Sequence, residues 1–283
     1  MYNLPADKFQ GIKTPFYYYN TRLLQDTLDA VKAQTGKRPG YHVHYAVKAC
    51  AHPDVLRMIQ EAGLGADCVS GGEIQASLDA GFPADRIVYA GVGKSDWEIE
   101  LGLQAGIRYF NVESVAELEV INEIAARMNR TANISFRINP DVGAHTHANI
   151  TTGLAENKFG INLEQIEGVI EQAIALPHID FEGIHFHIGS QILDMIDFVA
   201  LCNRINDLSE LFERRCYPIR TINVGGGLGI DYGHPNHKYI PDFHSYFNVF
   251  RKHLNLKANQ ILHFELGRSI VAQCGSLISR VLY

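Results

Sequence analysis

Eight short apolar runs alternate with amphipathic stretches along this 283-residue chain, and this alternation restricts the possible folds more than any other feature. The runs have the length and composition of buried strands, and the stretches between them repeat their apolar residues at helical spacing. Eight strand–helix units predict an α/β fold and favour a (β/α)8 TIM barrel over an open doubly wound sheet. The predicted strands are 42–47, 66–69, 87–90, 108–112, 133–138, 181–187, 219–224 and 261–265.

Several of the intervening stretches carry explicit helix signals. Residues 53–62 have a proline in the first turn, where its missing N–H has no consequence. Residues 114–128 open with Ser114 and have Glu117 three positions later, which is the pattern of a capping box. The remaining stretches predicted as helices from their period are 163–175 and 194–215.

The two ends of the chain differ from the barrel pattern. Residues 14–19 predict a strand and 22–33 a helix, both ahead of the first barrel strand. The expected partner of that early strand is the strand-like tail after Gly267, so both ends together predict a β-rich second domain. Residues 276–283 also read as a strand, and we therefore expect a C-terminal part of that domain to be missing. The predicted boundaries are 1–20 for the N-terminal strand of the β-domain, 21–265 for the barrel and 266–283 for the start of the C-terminal β-domain.

Composition narrows the class of protein. Apolar residues make up 46% of the chain and charged residues 20%, as in ordinary globular proteins, and the net charge of −6 argues against a nucleic-acid partner. There is neither a signal-peptide pattern at the start nor an apolar run of the roughly 20 residues that a membrane helix needs. The five cysteines are scattered without a CxxC pair, which predicts reduced thiols and a cytoplasmic location.

Four predicted strand ends carry side chains suited to one kind of chemistry. Lys48 follows the first strand, His187 ends the sixth, a glycine turn at 225–229 follows the seventh, and Glu265 and Arg268 follow the eighth. Barrel enzymes place their sites at the carboxyl ends of the strands. A lysine, a histidine able to stack on a ring, an anion-binding glycine turn and an acid with an arginine are the parts of a pyridoxal phosphate site. This cofactor would limit the function to amino-acid transformations.

Each of these residues also has an ordinary structural interpretation. Lys48 is also consistent with a solvated side chain at a strand end, and the glycine turn with a tight bend that needs positive φ. Glu265 and Arg268 alone would favour a surface ion pair. For His185, which alternates with His187 on the sixth strand, we prefer a buried core histidine.

Further polar residues extend the predicted site. Ser190 follows His187 closely enough to help bind phosphate. Asp67 and Glu73 flank the loop after the second strand, although helix capping is a sufficient explanation for Glu73. Arg137 ends the fifth strand, where a buried arginine would need an anionic partner.

Histidine pairs leave a second chemistry open. On a strand, the HxH spacing can bind a metal ion, and some hydrolase barrels begin with such a pair. Glu265 and His187 would then supply later ligands, so a metal-dependent barrel hydrolase stays open as an alternative. The pairs with this spacing are His42/His44, His145/His147 and His185/His187.

Several segments together resemble the fold-type III pyridoxal phosphate decarboxylases, the family with an alanine-racemase-like barrel. The resemblance runs from residue 14 to the last residue and keeps the order of the family's motifs. Residues 187–191 and the stretch 139–160 favour the diaminopimelate branch over the ornithine and arginine branches. The matching segments are YAVKA at 45–49, DCVSGGE at 67–73, RINP at 137–140, KFG at 158–160, HFHIGSQ at 185–191, GGGLG at 225–229 and ELGR at 265–268.

This resemblance implies a role for each site residue. Lys48 would bond covalently to the cofactor, His187 would stack on its ring, and Glu265 would pair with the ring nitrogen. The phosphate would be held by Ser190, Gly225, Gly226, Gly227 and Arg268. The polar shell around the lysine and the cofactor would be formed by Asp67, Glu73 and Arg137. Arg268 would also contact the substrate.

The implied reaction is removal of CO2 from the D-centre of meso-2,6-diaminopimelate, which gives L-lysine in the last step of lysine biosynthesis. The implied assembly is a homodimer with its active site at the interface. At the position opposite the ring nitrogen this chain has an acid, Glu265, which resembles the decarboxylase pattern. The alanine racemase pattern has an arginine at that position.

Two departures from the family pattern are visible. Leu266 stands where the family usually has proline, and members of the family continue well beyond the length of this chain. The additional part normally supplies a catalytic cysteine, a phosphate-binding tyrosine and substrate contacts, so we expect weak cofactor binding and little turnover from this chain alone. The alternatives are a sister decarboxylase acting on ornithine, lysine, arginine or carboxynorspermidine, and a decarboxylase-like regulator without activity.

Overall fold

The computed structural model describes residues 4–140 and 159–283, and its central feature is a closed barrel of eight parallel strands. The first barrel strand pairs with the second at Tyr45↔Ala66 and with the last at Val43↔Phe264, which closes the sheet. The predicted (β/α)8 barrel is therefore confirmed. Strand ends differ from the predicted ones by at most two residues, and the sixth barrel strand ends at His185 rather than at residue 187.

The elements follow each other in the expected alternating order. Within the described ranges the strands are β1 (Phe16–Tyr19), β2 (Tyr41–Ala46), β3 (Gly65–Cys68), β4 (Ile87–Tyr89), β5 (Tyr109–Val112), β6 (Ala132–Arg137), β7 (Ile179–His185), β8 (Thr221–Asn223), β9 (Ile261–Leu266) and β10 (Gly275–Ile278). The helices in the same ranges are α1 (Thr21–Thr35), α2 (Pro53–Glu61), α3 (Gly71–Asp79), α4 (Asp96–Ala105), α5 (Val115–Arg127), α6 (Ile166–Ala175), α7 (Met195–Arg214), α8 (Phe243–His253) and α9 (Arg268–Val271).

The start of α5 corrects one sequence prediction. Ser114 caps the helix by accepting the backbone N–H of Glu117 at 3.2 Å, as the capping-box pattern requires. The Glu117 carboxylate does not return to the N–H of Ser114, however, and instead accepts the N–H of Glu113 at 2.9 Å. Its other oxygen accepts a hydrogen bond from Lys94 at 2.6 Å. A charged tertiary partner has therefore drawn the acid away from the reciprocal half of the box.

Acids in the first helical turns hold the loops at the carboxyl end of the barrel. Glu73 on α3 accepts the backbone N–H of Val69 at 2.8 Å, in the same way that Glu117 on α5 accepts the N–H of Glu113. A carboxylate is favourable at this end of a helix, where unpaired N–H groups concentrate positive charge. These contacts, which we call the carboxylate ties, fix each loop to the helix that follows it.

Some carboxylate ties also connect neighbouring loops. Glu98 on α4 accepts the N–H of Gly71 at 2.7 Å, although Gly71 begins the preceding helix. Lys94 donates to the carbonyl of Gly91 and to Glu117, and its ammonium group is almost completely buried. The rim around the barrel mouth is therefore joined across adjacent βα units.

The barrel separates an apolar layer from a polar interior. Side chains that face outward from the strands pack against the helices, as Phe264 does against Tyr246, Phe247 and Phe250 of α8. Because successive residues of a strand face opposite sides, the alternate positions fill the barrel. The buried polar residues on the barrel strands include His44, Asp67, Asn111, Ser135, His185, Thr221, Asn223, His263 and Glu265.

A separate two-stranded sheet joins distant parts of the chain. β1 and β10 pair antiparallel, with Phe16 opposite Ile278 and Tyr19 opposite Gly275. The predicted partner of the early strand is therefore the observed one. The domain boundaries given above stay a prediction. Among the described residues, no helix has the length and apolar character needed to cross a membrane.

Candidate active site

A cavity of about 580 Å³ opens at the carboxyl end of the barrel strands. Its walls come from the ends of β2, β3 and β9, from the loops after β7 and β8, and from the β1–β10 sheet. Tyr17, Tyr19 and Leu277 of that sheet form one side. The predicted site residues that line it are Lys48, Asp67, His187, Ser190, Gly227, Glu265 and Arg268.

Lys48 lies in a single helical turn, Val47–Ala49, directly after β2. Burial of Val47 fixes this turn against the barrel, while the Lys48 side chain is exposed at the cavity wall. Asp67 lies on the neighbouring strand, and its register partner on β2 is Ala46. The lysine is therefore placed where its amine can reach a group bound in the cavity.

Glu265 is held from three sides by hydrogen-bond donors. Asn223 donates to its Oε1 at 2.7 Å and Asn111 donates to the same oxygen at 3.4 Å. His185 Nε2 lies 3.1 Å from Oε2. Burial opposes ionisation of Glu265, but the charge and hydrogen bond of His185 outweigh it, so the pKa of this carboxyl lies well below its usual value.

His185 was predicted as a buried core histidine, and it is buried, but its contact with Glu265 makes it part of the site. The sequence did contain a signal for this, because the HxH spacing predicts that His185 and His187 face the same side, with His185 one layer deeper. Asn223 carried a similar signal, since it lies two residues before Gly225 on the inward side of β8. Neither signal identified Glu265 as the partner.

His187 follows β7 and is partly exposed to the cavity. Burial, and then the positive charges of Arg137 and Lys48, lower its pKa to about 3. The imidazole is therefore neutral at physiological pH and presents an uncharged ring to the cavity. A neutral, flat ring is suited to covering the face of an aromatic ligand.

Asp67 lies deep in the same cavity. Burial, and then the nearby negative charge of Glu265, raise its pKa well above the usual value. Its Oδ1 atom is buried and has no hydrogen-bond partner within residues 4–140 and 159–283. A buried polar atom of this kind needs a hydrogen-bond partner, which a bound ligand could supply.

The glycine turn after β8 adopts a conformation that only glycine tolerates well. Gly225 and Gly227 have φ values of +68° and +107°. A Cβ on Gly226 would lie 1.8 Å from the carbonyl oxygen of Glu265, so the turn lies directly against β9. Gly227 reaches the cavity wall, whereas Gly225 and Gly226 lie behind it.

Arg268 brings positive charge to this turn. Its guanidinium donates to the Tyr232 hydroxyl and to Ser190 Oγ, the latter at 3.3 Å. Its buried Nε has no hydrogen-bond partner in the part of the chain that the structure describes. An arginine, a serine hydroxyl and the N–H groups of a glycine turn together suit a phosphate group. Tyr232 was not predicted from the sequence.

Besides Gly225 and Gly226, two predicted site residues do not line the cavity. Glu73 makes the tie to Val69 that helix capping predicts. Arg137 finds the anionic partner that its position required, because its Nη1 lies 3.1 Å from Oε1 of the buried Glu113. Glu113 itself was missed. Arg137 acts on the cavity through its charge rather than by contact, since it helps to keep His187 neutral.

The histidine pairs give no metal centre in the described ranges, where no group of three His, Cys, Asp or Glu side chains could hold a metal ion. His44 lies at the opposite end of the barrel from Lys48 and contacts His263. The predicted pair His145/His147 and Lys158 of the family-like segment lie outside the described residues.

Sequence and structure comparisons identify the family to which the chain belongs. Residues 24–272 match the family described as pyridoxal-dependent decarboxylase, pyridoxal binding domain. The chain belongs to this family of pyridoxal-dependent decarboxylases, and its cofactor is pyridoxal phosphate. Its curated relatives within the family are named diaminopimelate decarboxylase.

One such relative, from Bacteroides thetaiotaomicron, is 63% identical over 99% of this chain, which covers 72% of the relative's length. The Aquifex aeolicus enzyme is 38% identical over 97% of this chain, which spans 64% of that protein. The crystal structure of diaminopimelate decarboxylase from Helicobacter pylori complexed with L-lysine superposes with a TM-score of 0.91 and 36% identity. That superposition covers 98% of this chain and 69% of the other.

The residues present fit pyridoxal phosphate. Among the described residues, Oδ1 of Asp67 and Nε of Arg268 have no hydrogen-bond partner, so both atoms are available to a ligand group. Glu265 is kept ionised, as partner of a protonated ring nitrogen requires. The Gly226 position leaves no room for a side chain, so the backbone itself approaches this part of the site.

Proposed function

We propose that this chain catalyses the pyridoxal phosphate-dependent decarboxylation of meso-2,6-diaminopimelate to L-lysine and CO2. The observation that carries the proposal is the ionised Glu265 held by three donors beneath the cavity. Relatives named diaminopimelate decarboxylase support the choice of substrate, and L-lysine is bound in the Helicobacter pylori structure.

In the proposed mechanism, pyridoxal phosphate supplies an electron sink for the bond that breaks at the substrate α-carbon. Glu265 holds a proton on the ring nitrogen, which makes the ring a better electron acceptor. His187 covers one ring face and excludes water there. Because the His187 imidazole is neutral, it does not compete with the ring nitrogen for the negative charge of Glu265.

Lys48 and Asp67 both line the cavity. Lys48 would hold the cofactor covalently through its Nζ until a substrate amine takes its place. Once free, the same amine can return a proton to the substrate α-carbon. Asp67, with its raised pKa, can donate a hydrogen bond from its acid form to an oxygen of the cofactor.

The cofactor would be anchored in the cavity by its phosphate group. We propose that Ser190, Gly227 and Arg268 contact the phosphate, and that Gly225 and Gly226 shape the turn that presents Gly227. Glu73 and Arg137 support the site from behind the wall through Val69 and Glu113. Arg268 is also the proposed contact for a substrate carboxylate, because it carries a positive charge and lines the cavity.

We further propose a cytoplasmic homodimer with its active site at the subunit interface. The β1–β10 side of the cavity supports this arrangement, because Tyr17 and Leu277 line it and remain 67% and 59% exposed. Light scattering of the purified protein with and without pyridoxal phosphate would test the assembly. A monomer under both conditions would contradict it.

The first test is to trap the cofactor and locate its attachment. The chain is incubated with pyridoxal phosphate, reduced with borohydride and digested, and we expect the added mass on the peptide that contains Lys48. Lys48→Ala should abolish the label. Lys32→Ala, an exposed lysine at the opposite end of the barrel, should leave it unchanged. Labelling elsewhere would contradict the proposed site.

The second test identifies the substrate. Release of CO2 is measured with meso-diaminopimelate, ornithine, lysine, arginine and carboxynorspermidine, and we expect release only from the first. Preference for another amino acid would favour a sister decarboxylase. Cofactor attachment without CO2 release from any of them would favour a non-catalytic member of the family.

A further inference from the structure

A chain of hydrogen bonds runs from Glu265 through the barrel interior towards the opposite end. Asn223 Nδ2, which donates to Glu265 at 2.7 Å, also lies 3.2 Å from the Tyr109 hydroxyl. Tyr109 lies 2.7 Å from Nδ1 of His263, and that atom lies 3.1 Å from Nε2 of His44. We call Asn223, Tyr109, His263 and His44 the polar column.

The direction of the upper bonds follows from the groups at their ends. The backbone N–H of Gly225 donates to Oδ1 of Asn223 at 2.9 Å, so that atom must be the amide oxygen. The amide nitrogen therefore points the other way and has two hydrogens. One goes to Glu265 and the other to the Tyr109 oxygen.

Tyr109 joins Asn223 to His263, because its oxygen receives a hydrogen from Asn223 and also lies 2.7 Å from Nδ1 of His263. The same Nδ1 lies 3.1 Å from Nε2 of His44, whose own Nδ1 donates to the carbonyl oxygen of Arg86. The direction of the two hydrogen bonds at His263 depends on its tautomer, but the contacts that hold Tyr109 in place are the same in both. The His44 ring packs against His263 with centroids 4.5 Å apart and closes the column.

A polar column is an unusual filling for a barrel. Interiors of this fold are dominated by Val, Ile and Leu, and buried polar groups destabilise a protein unless their hydrogen bonds are satisfied. Tyr109 and His263 are both almost fully buried and lie one layer below Asn111 and Glu265 on their strands. The polar column thus fills the deepest part of the barrel interior with side chains that orient the Asn223 amide.

We propose that Tyr109 and His263 are positioning residues that act through Asn223 to hold the Glu265 carboxylate against the ring nitrogen of the cofactor. This inference rests on the proposed role of Glu265 and extends it to residues that touch neither cofactor nor substrate. Without the lower bonds, the Asn223 amide keeps its contact with Glu265 but loses the partner that fixes its second hydrogen.

The test compares two ligands that differ at a single ring atom. Affinity is measured for pyridoxal phosphate and for its 1-deaza analogue, in which carbon replaces the ring nitrogen. We expect Tyr109→Phe and His263→Leu to weaken pyridoxal phosphate binding about tenfold, the size of one lost hydrogen bond, and to leave the analogue unaffected. His263→Asn, whose side-chain amide can replace Nδ1 as either a donor or an acceptor, should bind nearly as the unmodified chain does.

Tyr246→Phe is the matched control. Tyr246 is also fully buried, but its hydroxyl has no hydrogen-bond partner among the residues of the described ranges. It should bind both ligands as the unmodified chain does. The double variant Tyr109→Phe/His263→Leu should lose little more than either single variant, because both act through the same bond.

Two other results would overturn the inference. Equal weakening for both ligands would mean that the column only supports the fold, and the proposed function would stand. If the unmodified chain bound both ligands equally, the proposed role of Glu265 would be wrong. The inference, which depends on that role, would then fail with it.

Discussion

Glu265 and Asp67 lie in one cavity with pKa values displaced in opposite directions. Both are buried, and burial alone would raise both values. The difference comes from their partners, because Glu265 receives three hydrogen bonds whereas one oxygen of Asp67 has none among the described residues. These surroundings suit the two carboxyl groups to different roles, Glu265 as an ion and Asp67 as a hydrogen-bond donor in its acid form.

Glu265→Gln tests this assignment at the residue scale. The glutamine NH2 would face Asn223 or His185, which are donors themselves, and it cannot hold a proton on the ring nitrogen. We expect the rate of decarboxylation to fall at least about 100-fold, with a smaller effect on cofactor affinity. Steady-state CO2 release measures the rate, and Glu119→Gln on the exposed face of α5 is the control. An unchanged rate would contradict the role of Glu265.

The residues that contact the cavity were largely predictable, and their supporting partners were not. Lys48 and His187 follow strands and Glu265 lies near the end of β9, so a barrel prediction alone places them at one end. Their supports come from distant parts of the chain, as Glu265 and His185 are 80 residues apart. Such pairs depend on the register between strands, which a single sequence does not encode locally.

The glycine turn between β8 and α8 is the element proposed to hold the phosphate. Its position against β9 depends on the absence of a side chain at Gly226. The strand that supplies Glu265 and the turn that supplies Gly227 are therefore in direct backbone contact. In the proposed function, this one contact sets the distance between the residues for the phosphate and the acid for the ring nitrogen.

Gly226→Ala should therefore be strongly destabilising. The added methyl group would lie 1.8 Å from the Glu265 carbonyl, and we expect a loss of at least about 2 kcal/mol in the free energy of unfolding. Gly168→Ala in α6 is the opposite case, because nothing lies within 4 Å of the new methyl group. Better helix propensity should stabilise that variant by up to about 1 kcal/mol. Urea unfolding compares the two, and similar stabilities would contradict the argument.

Element types were predictable because the apolar periods are regular, whereas details at their ends were not. The pairing of β1 with β10 followed from two strands without barrel partners. The capping box at Ser114 was half wrong, because Lys94 of a neighbouring loop captures Glu117. Local pattern thus predicted the helix start, and a tertiary contact decided which hydrogen bonds it makes.

At the scale of the whole molecule, the barrel buries several histidines in neutral form. Burial is the first cause in each case, and it lowers the pKa of His44 to about 4, that of His187 to about 3 and that of His263 well below its usual value. In the unfolded chain these groups take up protons near the ordinary value of 6.5. Between about pH 6.5 and 4 the unfolded state therefore binds more protons, and stability falls as the pH falls.

His44→Asn should reduce this dependence. The variant lacks one group that protonates only on unfolding, so its loss of stability between about pH 7.5 and 5 should be smaller than in the unmodified chain. His244→Asn, on the exposed face of α8, should keep the full loss. Urea midpoints at the two pH values measure the difference. An equal loss in His44→Asn and the unmodified chain would mean that His44 is not the group responsible.

The carboxylate ties have a consequence for how the barrel mouth exchanges its amide hydrogens with solvent. The N–H groups of Val69, Gly71, Gly91 and Glu113 lie outside the strands, yet each is held by a glutamate side chain. Deuterium should therefore enter these four positions slowly, at rates usual for the interior of a helix. Because neighbouring loops share ties, loss of one acid should speed entry at two loops rather than one.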